Sequence, residues 1–137
     1  MICVDATVLA DFLIGETILR EAAEVLLLED SEWISTSLWR YELGNVLVKY
    51  ARFARPPQQL TELQAKALMQ QAEKLVIETE FLFNGFEVLE IALRENLSYY
   101  DASYVWLARS RGLILRTRDK EVLQNCPDVA KPMPLNP

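Results

Sequence analysis

The apolar residues of this 137-residue chain follow two patterns: short continuous runs, and longer stretches in which they recur every three or four positions. Short runs are typical of buried strands, and the wider spacing is typical of helices with one apolar face. The strands predicted in this way are Ile2–Val4, Trp33–Ser35, Val76–Thr79 and Leu113–Arg116.

Seven helices are predicted between and after these runs. Most begin at a residue whose side chain can accept a hydrogen bond from the first-turn backbone, and two end at a glycine. Pairs such as Asn84 with Glu87 and Ser98 with Asp101 have the spacing of a capping box. The helices start at or near Asp5, Thr17, Thr36 or Ser37, Leu60, Asn84, Ser98 and Asp119, and end near Gly15, Glu29, Arg55, Leu75, Glu95, Gly112 and Leu123.

The alternation of strands and helices indicates an α/β fold, with a mostly parallel sheet between two helical layers. The length suits one domain, which we place at residues 1–126. The remaining residues, 127–137, contain four prolines and are expected to form an extended tail. Ligands of such sheets bind beyond the carboxyl ends of the strands, so this edge is where a functional site is expected.

Composition narrows the possible chemistry. The chain has no histidine, which excludes histidine acid–base catalysis, histidine-dependent nucleophiles and imidazole zinc sites. Its two cysteines, Cys3 and Cys126, are too few for a Cys₄ site and suggest a reducing compartment. The four glycines are scattered, so no phosphate-binding glycine loop is present. Carboxylates, hydroxyls and hard metal ions are left.

Charge and hydropathy bear on partners and location. Fourteen basic and twenty acidic residues give a net charge of -6, so any contact with nucleic acid requires a local basic patch. The N-terminus has neither a basic start nor an apolar stretch of signal length, and no stretch of the sequence is apolar enough to span a membrane. We therefore expect a cytoplasmic protein.

Four acids stand where a site at the carboxyl edge would draw its ligands. Asp5 follows the first strand, Asp119 follows a later one, and two more acids lie early on helices: Glu42 and Asp101. Taken singly, each has a structural explanation as a helix cap or a solvated helix acid. Together, carboxylates within a few ångströms repel by roughly 4 kcal/mol per pair at an effective dielectric of ~20, and would recruit a cation such as Mg²⁺ or Mn²⁺.

Two phosphoryl-transfer folds also place acids at strand ends. A receiver-type signalling domain needs an adjacent acidic pair after the first strand and a lysine after the last, whereas here Asp5 is alone and Asp119 follows Arg118. A haloacid-dehalogenase-type phosphotransferase needs Asp-x-Asp after the first strand, and this chain has Asp-Ala-Thr. Both rank below a metal-binding acidic cluster.

Four segments resemble the motifs of PIN-domain proteins, in the family's order and spacing and over nearly the whole domain. They are Met1–Thr7, a strand followed by Asp and Thr; Tyr41–Leu47, the glutamate helix; Leu97–Tyr104, with its Tyr-Asp-Ala core; and Gly112–Asp119, a strand followed by Thr-x-Asp. In length and single-domain plan the chain is similar to the VapC-type toxin ribonucleases of prokaryotes.

The resemblance implies a PIN-like fold and a ribonuclease that depends on Mg²⁺ or Mn²⁺. It maps Asp5, Glu42, Asp101 and Asp119 onto the catalytic and metal-binding acids, and Thr117 onto a supporting hydroxyl, with Thr7 and Asn45 as weaker supporting candidates. Asp5 and Asp101 would be the principal ligands, with the other two acids on a second ion or acting through water. Arg118 stands where it can pair with an acid and reduce the negative charge.

RNA and protein partners are implied as well. Basic residues near the last motif and on the glutamate helix are weak candidates for phosphate contacts: Arg116, Arg118, Lys120, Lys49 and Arg52. Tyr99, Tyr100 and Trp39 can stack on unpaired bases or belong to the core. The resemblance further implies a homodimer and an antitoxin that covers the acidic groove. The alternative is a PIN-fold binding module without catalytic activity that acts through a protein partner.

Overall fold

A five-stranded parallel sheet lies at the centre of the computed structural model, which describes residues 1–80 and 84–135. The strands lie in the order β3-β2-β1-β4-β5, and each neighbouring pair is parallel. Their bounds are β1 Ile2–Val4, β2 Trp33–Thr36, β3 Val76–Glu80, β4 Leu115–Arg116 and β5 Ala130–Lys131. The expected α/β fold is confirmed, and its sheet is wholly parallel within the described residues.

Helices connect the strands, and the described residues contain seven of them. Their bounds are α1 Ala6–Ile14, α2 Thr17–Glu29, α3 Leu38–Phe53, α4 Glu62–Leu75, α5 Gly85–Arg94, α6 Tyr99–Arg111 and α7 Lys120–Asn125. The side chains of Asp5, Asn84, Ser98 and Asp119 accept first-turn backbone hydrogen bonds, as predicted. In the described part of the chain, no helix combines the length and the apolar character that crossing a membrane requires.

The sheet separates two apolar cores. Ile2 and Val4 of β1 pack on the side of α1, α2, α3 and α4, whereas Cys3 between them packs on the side of α5 and α6. Alternate residues of a strand point to opposite faces, so a strand covered on both faces is apolar at every position. This burial explains the continuous run Ile2–Val4 and confirms a three-layer sandwich.

Three details differ from the sequence-based expectation. Leu63 belongs to the apolar repeat of the fourth helix, a spacing that predicts a buried side chain, but it is 78% exposed. Strand β4 is shorter than predicted, because the chain joins the ladder only at Leu115. Part of the expected tail adds strand β5 at the sheet edge and buries Val129 and Met133. Prolines are compatible with an edge strand, where a missing N–H interrupts no ladder; residues 136–137 lie outside the described part.

Candidate active site

Asp5 is the most firmly held acid at the carboxyl edge of the sheet. It directly follows β1, is buried, and caps α1. Its Oδ1 accepts hydrogen bonds from the Thr7 N–H at 3.0 Å, the Thr7 hydroxyl at 2.5 Å and the Val8 N–H at 3.2 Å. Burial raises the pKa of this carboxyl, and the four hydrogen bonds to it, from Thr117, Thr7 and Val8, oppose that rise.

Thr117 joins the ends of β1 and β4. Because these strands are parallel neighbours, the residues that follow them emerge side by side. The Thr117 hydroxyl is fully buried, donates to Oδ2 of Asp5 at 2.5 Å, and accepts from the N–H of Asp119 at 3.0 Å. It therefore fixes the position of one acid directly and of the other through its backbone.

Glu42 reaches the same region from α3. Its Oε1 accepts a hydrogen bond at 2.8 Å from the hydroxyl of Tyr104, which lies on α6. Burial raises the pKa of Glu42, the bond from Tyr104 opposes the rise, and the negative charges of Asp5 and Asp101 add to it. The bond from Tyr104 therefore holds a half-buried glutamate near the other acids.

Asp101 completes the group from the first turn of α6. Burial is the main cause that raises its pKa, and the charges of Asp119, Asp5 and Glu121 raise it further, while Ser98 acts in the opposite direction. The charges of Asp5, Asp101 and Asp119 thus act on Glu42 or Asp101, which shows that the acids predicted from sequence lie near one another. We call Asp5, Glu42, Asp101 and Asp119 the acidic cluster.

The acidic cluster has no basic partner in the described part of the chain. None of its four carboxylates takes part in an ion pair there, although nine such pairs occur elsewhere in the same residues. Half-buried carboxylates without a counter-ion repel one another and bind either protons or a cation from solution. The arrangement therefore favours a cation site.

The ligand type suits a hard divalent ion, and the spacing restricts how the ion is held. The cluster offers only carboxylate oxygens, which Mg²⁺ and Mn²⁺ prefer. Across residues 1–80 and 84–135, however, no three acidic, cysteine or histidine side chains are grouped closely enough to hold a single ion. Mg²⁺ keeps several waters and takes only one or two carboxylates directly, so the cluster fits a hydrated ion.

A groove between α1 and α3 reaches the acidic cluster at Glu42. It has a volume of about 410 Å³, and its walls include Thr7, Glu42, Asn45, Lys49 and Arg118. Thr7, one of the weaker supporting candidates, hydrogen-bonds Asp5, whereas Asn45 is exposed on the groove wall. The structure therefore brings Thr7 and Thr117 to the acids and leaves Asn45 in the groove.

Arg118 does pair with an acid, although not with one in the cluster. Its guanidinium forms a two-bond ion pair with Asp11 on α1, of which the Nη2–Oδ1 distance is 2.8 Å. Asp11 is only 3% exposed, and burial raises its pKa while Arg118 opposes the rise. The pair fixes Arg118 beside the groove and leaves the charge of the cluster undiminished.

Two of these residues, Asp11 and Tyr104, were missed by the sequence analysis. Asp11 interrupts an apolar helical stretch, which is a weak signal of a buried polar contact. Tyr104 lies three positions after Asp101, so a helix places both side chains on one face. That spacing was the available signal that Tyr104 lies near the acids.

The other basic candidates are dispersed. Lys49 lines the groove, and Lys120 and Arg52 are exposed. Arg116 turns toward the end of the chain, where its Nη1 donates to the carbonyl of Pro132 at 2.7 Å. Of the basic residues proposed for phosphate contacts, Lys49 and Arg118 therefore lie on the wall of the groove.

The three aromatic candidates differ in their exposure to solvent. Trp39 is fully buried, and its Nε1 donates to the Thr79 hydroxyl at 3.0 Å, so it belongs to the core. Tyr99 and Tyr100 are exposed at the start of α6. Only these two of the three predicted aromatics are placed where they can meet a ligand.

Comparisons with known proteins bear on the family and the fold of the chain. The family model described as "PIN domain" matches residues 2–126. Exonuclease VapC9 of Pyrobaculum aerophilum is 39% identical over 83 residues, which are 61% of this chain and 59% of that protein. The crystal structure of PAE2754 from Pyrobaculum aerophilum matches with a TM-score of 0.71 and 28% identity, covering 93% of this chain and 81% of that chain. The chain thus spans about three fifths of the curated relative's length.

Proposed function

Since this chain belongs to the PIN domain family, we propose that it is a metal-dependent ribonuclease that hydrolyses phosphodiester bonds in RNA. The observation that carries the proposal is the acidic cluster, in which burial and the neighbouring carboxylates raise the pKa of Glu42 and Asp101 and no carboxylate has a basic partner among the described residues. Such a cluster attracts a divalent cation, and a cation bound there attracts a phosphate.

The family assignment confirms the resemblance stated from the motifs. It extends to the VapC type through the relative whose printed name is Exonuclease VapC9. That name describes removal of nucleotides from an end, whereas our proposal for this chain is cleavage within the RNA. The two modes use the same phosphodiester chemistry and differ in how the RNA enters the groove.

We assign the metal-holding role to Asp5, Glu42, Asp101 and Asp119. With Mg²⁺ or Mn²⁺ held by these residues, the site would gain the means to activate water and to stabilise negative charge on the phosphate oxygens. Asp5 already accepts four hydrogen bonds, which fix its orientation before any ion arrives. Glu42, held from one side by Tyr104, keeps its second oxygen, Oε2, for the ion or its waters.

The supporting residues keep the acids in position during the reaction. Thr7 donates to Oδ1 of Asp5 and Thr117 donates to Oδ2, so both oxygens of the carboxylate are fixed in position within the acidic cluster. Lys49 on the groove wall supplies positive charge along the path by which a phosphate backbone reaches the cluster, whereas the charge of Arg118 on the same wall is balanced by its ion pair with Asp11. No step requires histidine, which agrees with the composition.

We further propose that the protein is the toxin of a toxin–antitoxin pair and works as a homodimer. The antitoxin would cover the groove between α1 and α3, where a basic side chain can lie among unpaired carboxylates. Exposed apolar side chains on the neighbouring α2, namely Ile18 at 68% and Leu28 at 87%, offer additional contact area.

Cleavage of a labelled single-stranded RNA by the purified chain tests the enzyme proposal. We expect cleavage with Mg²⁺ or Mn²⁺ and none in EDTA. Asp101→Asn should lower the rate by about 100-fold or more, because it removes charge where the ion is held. Glu121→Gln is the matched control: it also removes a negative charge close to Asp101, from an exposed side chain outside the cluster, and should leave the rate within about twofold.

Two results would count against the proposal. Unchanged cleavage by Asp101→Asn in Mg²⁺ would remove the acidic cluster from the mechanism. Absence of cleavage by the wild-type protein with either metal would favour the non-catalytic binding module. A circular RNA substrate separates internal from terminal cleavage, because only an internal cut can linearise it.

A further inference from the structure

A second cavity lies beside the acidic cluster, beyond the carboxyl ends of β2 and β3. Its volume is about 160 Å³. Three tyrosines line it: Tyr41 on α3 and Tyr99 and Tyr100 on α6, which are 77%, 40% and 63% exposed. Thr36, Ser103 and Glu80 supply polar groups to the same walls. We call this cavity the tyrosine pocket.

The tyrosine pocket adjoins the acidic cluster on both of its helices. Tyr41 directly precedes Glu42, and Tyr100 directly precedes Asp101. Across the sheet edge, the hydroxyl of Tyr104 contacts both Glu42 and the pocket residue Thr36. A chain bound at the acids therefore has one of its neighbouring groups within reach of the pocket.

The walls of the pocket match the chemistry of a nucleobase. Aromatic side chains stack on any unpaired base, and this is the usual way in which proteins hold the bases of single-stranded RNA. The volume is below the 300 Å³ or more that is typical of sites for whole small molecules, which suits one ring system rather than a complete nucleotide. The hydroxyl of Ser103, which donates to the carbonyl of Tyr100 at 2.6 Å, can still accept a hydrogen bond from the polar edge of that ring.

We infer that the tyrosine pocket holds one unpaired base of the RNA, adjacent to the phosphate at the acidic cluster. The inference rests on the proposed function, because it takes the ligand of the cluster to be RNA. It assigns a positioning role to Tyr41, Tyr99 and Tyr100: by fixing one base, the pocket sets which phosphate lies at the acids.

A scan with abasic nucleotides tests this inference. The probe is a short fluorescein-labelled single-stranded RNA, and a series carries one abasic nucleotide at each position in turn. Fluorescence anisotropy at low ionic strength in EDTA measures binding, and the same RNAs with Mg²⁺ report cleavage. With the wild-type protein, loss of the base at one position should weaken binding about tenfold, the effect of losing one stacked base.

Three variants show whether the effect belongs to the pocket. In Tyr100→Ala, binding of the intact RNA should fall about tenfold and the abasic penalty should disappear, because both changes remove the same contact. Tyr100→Phe keeps the ring and should keep the penalty. Phe53→Ala is the control, since it removes an aromatic side chain that is 77% exposed at the opposite end of α3 from Tyr41; it should leave the penalty unchanged.

The outcomes separate this inference from the proposed function. A penalty that is equal in the wild type and Tyr100→Ala, with normal cleavage, overturns the inference and leaves the ribonuclease intact. A tyrosine-dependent penalty without cleavage in Mg²⁺ supports the pocket and contradicts the proposed function. Failure of the wild-type protein to bind or cleave RNA contradicts both.

Discussion

The two ends of helix α6 treat acidic side chains in opposite ways. In its first turn, Asp101 belongs to a cluster of carboxylates without a basic partner in the described part of the chain, and burial and like charges raise its pKa. In its last turn, Arg109 binds Glu95 at 2.6 Å and Asp128 at 2.8 Å, and its guanidinium lowers the pKa of both carboxyls.

The difference indicates what each set of acids is for. Acids that stabilise a fold are placed opposite a guanidinium, where the charged form is favoured. Acids left to repel one another stabilise nothing by themselves, and a fold that holds them together does so at a cost to its own stability. The acidic cluster is therefore best explained by the binding of a ligand. The ion pairs of Arg109 with Glu95 and Asp128, which we call the Arg109 group, are explained by their contribution to the fold.

The largest effect on stability is expected where the paired acids lose their partner. Arg109→Ala leaves Glu95, whose side chain is 24% exposed, without compensation, and should lower the free energy of unfolding by about 2 kcal/mol. Urea denaturation measures this. Arg94→Ala, which breaks the exposed pair with Glu90, should cost no more than about 0.5 kcal/mol. Equal losses of unfolding free energy in the two variants would show that the ion pairs of Arg109 stabilise the fold no more than an exposed pair does.

Neutralising Asp101 in the first turn of α6, or Asp128, which pairs with Arg109 in the last turn, should change the free energy of unfolding in opposite directions. In EDTA, Asp101→Asn should raise the free energy of unfolding by about 1 kcal/mol, because burial and the neighbouring negative charges, which raise the pKa of Asp101, outweigh the attraction of the helix dipole. Asp128→Asn should lower it by about 0.5 kcal/mol, since it removes an exposed partner of Arg109. A loss of stability in Asp101→Asn would mean that its charge is already compensated.

The free energy of unfolding should also depend on pH in opposite ways for the two groups of acids, and this effect is expected to be smaller. Glu42 and Asp101 have raised pKa values, so the folded state binds their protons more tightly than the unfolded state does. The stability gained from this protonation is complete below the unfolded values of 4.5 and 3.8 and is lost as the pH rises through the folded values. Glu95 and Asp128 have lowered values, so their contribution is present above 4.5 and 3.8 and is lost as the pH falls through the folded values.

Urea denaturation in EDTA from about pH 7 to about pH 4 follows this difference. The stability gained by Asp101→Asn relative to the wild type should shrink over this range, while the loss caused by Arg109→Ala should persist down to about pH 4.5 and shrink below that value. A gap between Asp101→Asn and the wild type that does not change with pH would show that Asp101 does not titrate differently in the folded protein.

The sequence was most informative where function depends on the ends of strands. Asp5 and Thr117 follow runs of residues that are buried on both faces, so their meeting at one edge follows from parallel pairing of β1 with β4. Periodicity and capping residues predicted the helices that carry Glu42 and Asp101. These features depend on local patterns, which a single sequence contains.

Contacts between side chains that are far apart in the sequence were harder to predict. The bond from Tyr104 to Glu42 spans 62 positions, and that from Arg118 to Asp11 spans 107, so each depends on how the helices pack. Sequence reasoning identified Arg118 as able to pair with an acid but could not choose Asp11. It also missed strand β5, because two residues among prolines form no recognisable apolar run.

Calorimetric titration of the metal-free protein with Mn²⁺ tests the central claim most directly, since it needs neither the RNA nor a partner. The account predicts saturable binding to the wild type, binding weakened about tenfold or more in Asp101→Asn, and unchanged binding in Asp128→Asn. Absence of Mn²⁺ binding to the wild type, or equal binding to all three proteins, would contradict the claim that the acids at the carboxyl edge of the sheet form a cation site.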